Sequence, residues 1–514
     1  MIKSKILRDA ALLTIMQLFL DSAALFLNTF ITRQMGASAI GILSLMGSFL
    51  GLASILSNGN AFLCTSRLIS EEIGRKNGDP NGILFYGIRL CLLLSAGVSA
   101  AMIIFAEPIS QRFFSGAQMT AALRLMPLAL ITGAFAACLK GYFNATRRAA
   151  VAAAVDIAEF VTRCGYIIAA ALLTDVRSEH KVCGIMIGSV IAGNTVSVAI
   201  LGLAYLHFRS RSCGVCSISF RQYTLFSLPI MGGSILTAVL SSTNDALIPI
   251  CLRLYGDSAG QALGQFGLFE AIVIPTLFFP SVVLCSVAGM IVSETARANA
   301  ARNTERIRSL TDRIRRYTLV FSFFAAAVIM RFGKQIGELL GGGELTGRMI
   351  TMIAPVIPFI YMEIVLEAMI KGLGQQKFSS ANYLAEYAIR IAAVLIFIPR
   401  FGFCGIVISY YASNIFGNIM RYIKTVRTAG AGYAIFLTVV MPIAVLYASM
   451  KASELVIRFT GITACNTFGI AIYVVVWGLF YFISYFALGK VKLISKCGEG
   501  LFVNNAQQTT HRVL

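Results

Sequence analysis

The sequence predicts an all-α polytopic membrane protein of about 14 transmembrane helices. Three observations predict it. Apolar stretches long enough to cross a bilayer fill almost the whole 514-residue chain. The composition is 57% hydrophobic and 13% charged, with a mean hydropathy of +0.79, against about 25% charged for an ordinary soluble domain. Lys and Arg gather in alternate connections between the stretches. A hydrocarbon core about 30 Å thick takes roughly 20 helical residues to cross. Backbone groups facing lipid must bond within their own segment, so runs of this length are helices.

The spans follow in order. The chain opens MIKSKILRDA, basic and then apolar, with no small-residue cleavage site before the next run. It reads as the start of a retained first helix over 9–32. The second span, 38–66, carries Gly47, Gly51 and Gly59. Spans over 83–106, 119–140, 149–174 and 183–206 complete a first set of six. Span 224–252 contains Pro229 and Pro249, and span 262–291 contains Pro275 and Pro280. Proline removes a helical donor and predicts kinks. The connection that follows, SETARANAARNTERIRSLTDRIRR, carries seven Arg. It reads as a cytosolic amphipathic helix resting on anionic headgroups. Spans over 317–340, 347–370, 379–398, 404–420, 432–450 and 465–488 complete the set.

An even number of spans places both termini on one side. Of the 43 Lys and Arg, 28 belong to the N-terminus, the even-numbered connections and the tail, and 11 to the odd-numbered connections, counting Lys140, Arg331, Lys334 and Arg348 with the connections that their span ends adjoin. Arg89, Arg124, Arg163 and Arg390 fall within spans. Both termini are therefore expected in the cytosol. The net charge of +20 reads as this topology signal, not as a nucleic-acid footprint. The 12 cysteines are scattered, mostly in apolar runs, where thiols behave as small hydrophobes. Cys213 and Cys216 form a CxxC, but His207 is the only further ligand nearby, so no metal site or cofactor is expected. No connection leaves room for a soluble catalytic domain, and no GxxxxGK[ST] loop occurs. An enzyme is not expected; energy must come from an ion gradient or from the substrate's own.

The chain repeats itself. Ala158 to Arg163 read AEFVTR, and Ala385 to Arg390 read AEYAIR. Lys140-Gly141 precedes the first copy and Lys371-Gly372 the second. Arg33 stands before Gly36 as Arg253 stands before Gly256, and Asn194 matches Asn414. Each half holds six spans in the same order, so the halves insert in parallel around a binding site between two lobes. The expected organisation is a lobe over 1–207, a linker over 208–223, a second lobe over 224–428, two extra helices over 429–488 and a tail over 489–514.

Ionisable residues inside a membrane are costly and mark function or pairing. Glu159–Arg163 and Glu386–Arg390 are i,i+4 pairs with the acid leading, the favourable order. Each pair either locks its helix or turns its arginine to the cavity for an anionic substrate. Asp21, Asp245, Glu270, Glu363 and Glu367 have no obvious local partner. Isolated buried carboxylates tend to protonate, which suits H⁺ or Na⁺ coupling. The other reading pairs them across helices with Arg89 or Arg124 or turns them to a water-filled cavity, with Arg390 needed near Glu363 and Glu367. Asn28 and Asn244, with Arg33 and Arg253, complete the candidate cavity residues.

The stretch Arg33-Gln-Met-Gly36, the TSRLISEEIGRKNGD sequence ending the second span and LKGYFNATRR before the acid–Arg span resemble the multidrug/oligosaccharidyl-lipid/polysaccharide (MOP) exporter superfamily. Within it the chain is similar to the polysaccharide-flippase branch that includes the stage V sporulation protein B, in which 14 spans are usual. The resemblance implies two six-helix lobes that rock between inward and outward states. It implies a lipid-linked saccharide substrate of the polysaccharide or peptidoglycan type, moved to the outer leaflet of a bacterial cytoplasmic membrane; the protein is expected to be a monomer. The lipid II branch uses cavity arginines on its early helices. Here the first span carries Asp21 and no arginine before Arg33, so a cation-coupled multidrug antiporter is the alternative.

Overall fold

The computed structural model describes residues 2–73, 78–113, 119–146, 148–173, 179–209, 216–429, 436–460 and 469–488. Arg75, Lys76, Arg147, residues 210–215 of the expected linker with Arg211 and Cys213, and the tail 489–514 lie outside the described residues.

The described residues are helical and contain no strand. In order they form α1 (Ile2–Met35), α2 (Ala37–Asn58), α3 (Ala61–Ile73), α4 (Pro80–Ile104), α5 (Ala106–Phe113), α6 (Thr120–Ala145), α7 (Ala149–Leu173) and α8 (Glu179–Phe208). Then come α9 (Phe220–Tyr255), α10 (Ala259–Leu268), α11 (Ile274–Phe278), α12 (Val282–Ala300), α13 (Thr304–Leu339), α14 (Gly343–Ile353) and α15 (Ile357–Gly372). The last are α16 (Gln376–Phe401), α17 (Phe403–Ala429), α18 (Met441–Thr460) and α19 (Gly469–Leu488). Among the described residues, 13 helices are long and apolar enough to cross a membrane. The fourteenth expected span is α7, whose 25 residues suffice in length but include Asp156, Glu159 and Arg163. The protein is an all-α polytopic membrane protein.

Local chemistry sets the boundaries. Asp79 caps α4 by accepting from the Asn81 N–H at 3.1 Å, with Pro80 in the first turn. Ser219 with Gln222 and Ser258 with Gln261 form reciprocal capping boxes at the starts of α9 and α10. Four spans are interrupted rather than continuous. The second span breaks at Gly59 and Asn60, which both take left-handed φ, +55° and +59°. The eighth carries a π-turn over Phe269–Val273 and a 3₁₀ turn over Phe279–Ser281. The tenth has a 3₁₀ turn over Ala354–Val356, and a π-turn over Phe436–Val440 leads into α18.

The Arg-rich connection differs from expectation. It is not a separate helix: its first part ends α12 and its last part begins α13. Asn303 is the reason, because its carboxamide accepts from the Arg306 N–H at 2.9 Å and starts a new helix after Ala300. Two of the seven arginines turn inward. Arg315 is buried and donates to Asp312 and the Tyr422 hydroxyl, and Arg316 donates to the Tyr485 hydroxyl at 2.7 Å.

The chain forms two compact units. One comprises residues 1–286, 334–350 and 375–420; the other comprises 287–333, 351–374 and 421–514. In the first, α2 and α10 cross at glycine: a Cβ on Gly267 would overlap the Gly41 backbone. In the second, an aromatic core gathers Phe324, Trp477 and Tyr481, with the indole donating to the Ser449 hydroxyl at 3.2 Å.

Candidate functional site

The Gly41–Gly267 crossing brings the start of the eighth span onto α2, and α2 in turn packs on α9. The α2–α9 contact is polar. The Ser48 hydroxyl donates to Asp245 at 2.6 Å, and the Ser242 hydroxyl donates to the Ser48 carbonyl at 2.8 Å. Beside it opens a cavity of about 650 Å³. Ser44, Ser48, Asn58 and Asn60 line it from the first half of the repeat; Thr237, Ser241, Asp245, Glu270 and Tyr387 line it from the second. The Gly59–Asn60 break lies on its wall. Irregular backbone at membrane depth is tolerated where it lines a cavity. Asn60 bridges the halves, donating from its carboxamide to the Ser234 hydroxyl at 3.0 Å.

A smaller chamber of about 190 Å³ shares Ser241, Asp245, Glu270 and Tyr387 with this cavity and adds Asn244, Arg390 and Tyr410. Glu270 sits in the π-turn and makes no hydrogen bond or ion pair among the described residues. Arg390 is held firmly. Its Nε donates to the Ser413 hydroxyl at 2.9 Å, its Nη2 lies 3.5 Å from Glu386, and its guanidinium lies over the rings of Tyr387 and Tyr410 at 5.3 and 5.1 Å.

Asp21 and Asn28 lie elsewhere, on a separate cavity of about 550 Å³ lined by α1, Pro275, Phe278 and Cys285. Gln17 donates to Asp21 at 2.8 Å. Pro275 has no N–H for the carbonyl four residues back, that of Ala271; the Asn28 carboxamide donates to it at 2.8 Å.

The remaining candidates are tied into protein contacts. Arg163 donates to Glu159 at 2.6 Å and to Asn194 at 2.9 Å. Lys140 closes the cluster, 2.9 Å from Glu159 and 2.6 Å from Asp156. Glu363 and Glu367 are not served by Arg390, contrary to expectation. Their base is Arg421, fully buried, 2.9 Å from Glu363 and 3.4 Å from Glu367, with Lys371 at 3.4 Å from Glu367. Arg421 had counted only toward the topology signal, because it follows the last apolar residue of its span. Arg33 donates to the carbonyls of Glu338 and Leu339 at the end of α13, a favoured place for a cation. Arg253 is exposed in the last turn of α9. The Cys216 thiol lies 3.6 Å from the Asp79 carbonyl, and burial, then Asp79 and Glu72, push its pKa up.

Sequence reasoning named Asn244 but missed the hydroxyl lining and the amides of Asn58 and Asn60. The signal was present as runs of small polar residues inside apolar spans, Ser57-Asn-Gly-Asn60 and Ser241-Ser-Thr-Asn-Asp245.

No protein-family model matches the sequence, and no curated protein matches it. Solved structures do. A lipid II flippase, MurJ, in an inward closed conformation aligns with a TM-score of 0.69 at 15% identity, covering 94% of this chain and 100% of its own. The chain has the MOP fold. An inward-facing multidrug resistance MATE transporter of the MOP superfamily aligns with a TM-score of 0.64 at 16% identity, covering 81% of this chain and 98% of its own. A MOP superfamily transporter from Pyrococcus furiosus aligns with a TM-score of 0.54 at 17% identity, over 82% of this chain and 95% of its own. The MOP fold thus spans nearly the whole sequence.

Proposed function

We propose that this chain is an alternating-access exporter that moves a lipid-linked saccharide precursor to the outer leaflet of a bacterial cytoplasmic membrane. The observation that carries this reading is the cavity lining. Serine and threonine hydroxyls and asparagine carboxamides from both repeat halves surround about 650 Å³. Such groups both donate and accept, as glycan hydroxyls require. The likeness to a lipid II flippase over 94% of this chain supports it. In this reading the halves over 1–207 and 224–428 rock as lobes, Arg390 offers a fixed positive charge for a phosphate, and Asp245 and Glu270 couple transport to a cation. The protein works as a monomer with cytosolic termini, and the outward-facing arginines of the α12–α13 connection meet anionic lipid.

A second reading, a cation-coupled multidrug antiporter, is favoured by one observation. Two carboxylates but only one arginine line the cavity and its chamber, which suits a cationic drug. Reconstitution separates the two. Purified protein in vesicles is given a fluorescent undecaprenyl diphosphate disaccharide inside, or ethidium inside, and appearance of each outside is followed. The flippase reading expects the disaccharide lipid to move and ethidium to stay. Ethidium movement alone would replace it with the antiporter.

A further inference from the structure

The small chamber has the composition of a metal-cation site, yet it contains a cation of its own. Beside the hydroxyls of Ser241, Ser409, Tyr387 and Tyr410, it is lined by the carboxylates of Asp245 and Glu270 and the carboxamide of Asn244, the oxygen donors a metal cation favours. Asn244 is 7% exposed, and its Oδ1 is buried with no hydrogen-bond partner among the described residues. Two carboxylates and an unfilled carbonyl oxygen at membrane depth are what a bound Na⁺ would use. Arg390 lines the same 190 Å³ and interacts electrostatically with both carboxylates. Its guanidinium cannot lose its charge. It is fixed on several sides, by Ser413, Glu386 and the rings of Tyr387 and Tyr410.

We infer that Arg390 is a tethered counter-cation that closes the chamber to Na⁺ and leaves the proton, carried on Glu270, as the ion it exchanges. A metal ion there would share the chamber with a permanent like charge in surroundings of low dielectric. A proton avoids that conflict. It forms one O–H bond on a carboxylate oxygen, drawn from hydronium in the adjoining cavity, and neutralises the group in place. The protonated carboxyl is also a donor, and the unfilled Asn244 oxygen is an acceptor in the same chamber. The charged and titratable groups around Glu270 are Asp245 on α9, Tyr387 and Arg390 on α16 and Tyr410 on α17. The neighbouring α1 and α2 present Asn28 to the Ala271 carbonyl and Ser48 to the cavity, neither of them titratable.

This inference rests on the coupling role given to Asp245 and Glu270 above, but its test needs no transport. Binding of ²²Na⁺ to the purified full-length protein is measured at constant ionic strength, with N-methylglucamine as the replacing cation. Wild type is expected to bind no ²²Na⁺ above background. Arg390→Met removes the charge and is expected to gain saturable binding, with affinity raised at least about tenfold over wild type, which corresponds to about 1.4 kcal/mol. Glu270→Gln added to Arg390→Met should abolish that gain, and Arg390→Lys should show none. Saturable ²²Na⁺ binding by wild type overturns the inference while leaving the exporter reading intact, and this arm does not depend on any variant folding. Monodisperse Arg390→Met protein that binds no ²²Na⁺ overturns it as well.

Discussion

The Asn28 carboxamide donates to the Ala271 carbonyl at 2.8 Å, across 243 residues of sequence. It takes the place of the N–H that Pro275 lacks, and it ties α1 to the π-turn carrying Glu270. Asn28→Ala should leave that carbonyl unsatisfied and cost about 1–3 kcal/mol, read as a lowered Tm in detergent. Pro275→Ala restores an N–H at that position, so the double variant should recover most of the loss. A double variant no more stable than Asn28→Ala would show that the bond is not what holds the turn.

The two repeat copies use the same acid–Arg pair differently. Lys140 supports Glu159, whereas its counterpart Lys371 lies on Glu367. Arg163 is bound to Asn194, whereas Arg390 meets Ser413 and two tyrosine rings on the chamber. Arg163→Gln should therefore act on stability, by about 1–3 kcal/mol given its partial exposure, and Glu159→Gln in the same chain should restore yield and transport. Arg390→Gln should abolish transport, and pairing it with Glu386→Gln should restore yield alone. Thermal melts and the vesicle assay distinguish the two outcomes.

Arg421 is fully buried between Glu363 and Glu367. Removing one partner of a buried ion pair leaves a charge uncompensated and typically costs about 3–5 kcal/mol. Arg421→Met should accordingly collapse the yield of folded protein. Replacing Glu363 and Glu367 by Gln as well should raise it again, measured as monodisperse protein on size exclusion. An Arg421→Met variant as stable as wild type would mean that both acids are protonated in the native state.

Cysteines placed at residues 178 and 300 test the topology in a cysteine-depleted background. Residue 178 lies outside the described residues, and residue 300 ends α12. The basic asymmetry predicts labelling of 178 from outside the cell and of 300 only after the cytosol is opened. The reverse pattern would invert the orientation.

The spans were legible because a bilayer imposes one length and one composition on every helix. α7 is the least ordinary of them: it carries three charges among apolar residues, and the AEFVTR/AEYAIR repeat ties it to α16. The breaks were half legible. Prolines at 275 and 280 predict a bent eighth span, but the π-turn over Phe269–Val273 ahead of them has no local mark in the sequence. Arg421 shows why pairing was harder to read. Its partners lie 58 and 54 residues away, whereas i,i+4 spacing reaches only Lys371 from Glu367. The cavity's serines and asparagines were overlooked because each is individually ordinary in a membrane helix.

The central claim is that the cavity walled by α2, α9 and α16 is the path of transport. Its most direct test is thiol access at Ser241, which lines both the cavity and the chamber. Ser241→Cys, in a cysteine-depleted and transport-competent background, is exposed to a membrane-impermeant maleimide from each side of sealed vesicles. Alternating access predicts labelling from one side at rest and from the opposite side when a proton gradient is imposed. Labelling from neither side under any gradient would contradict the account.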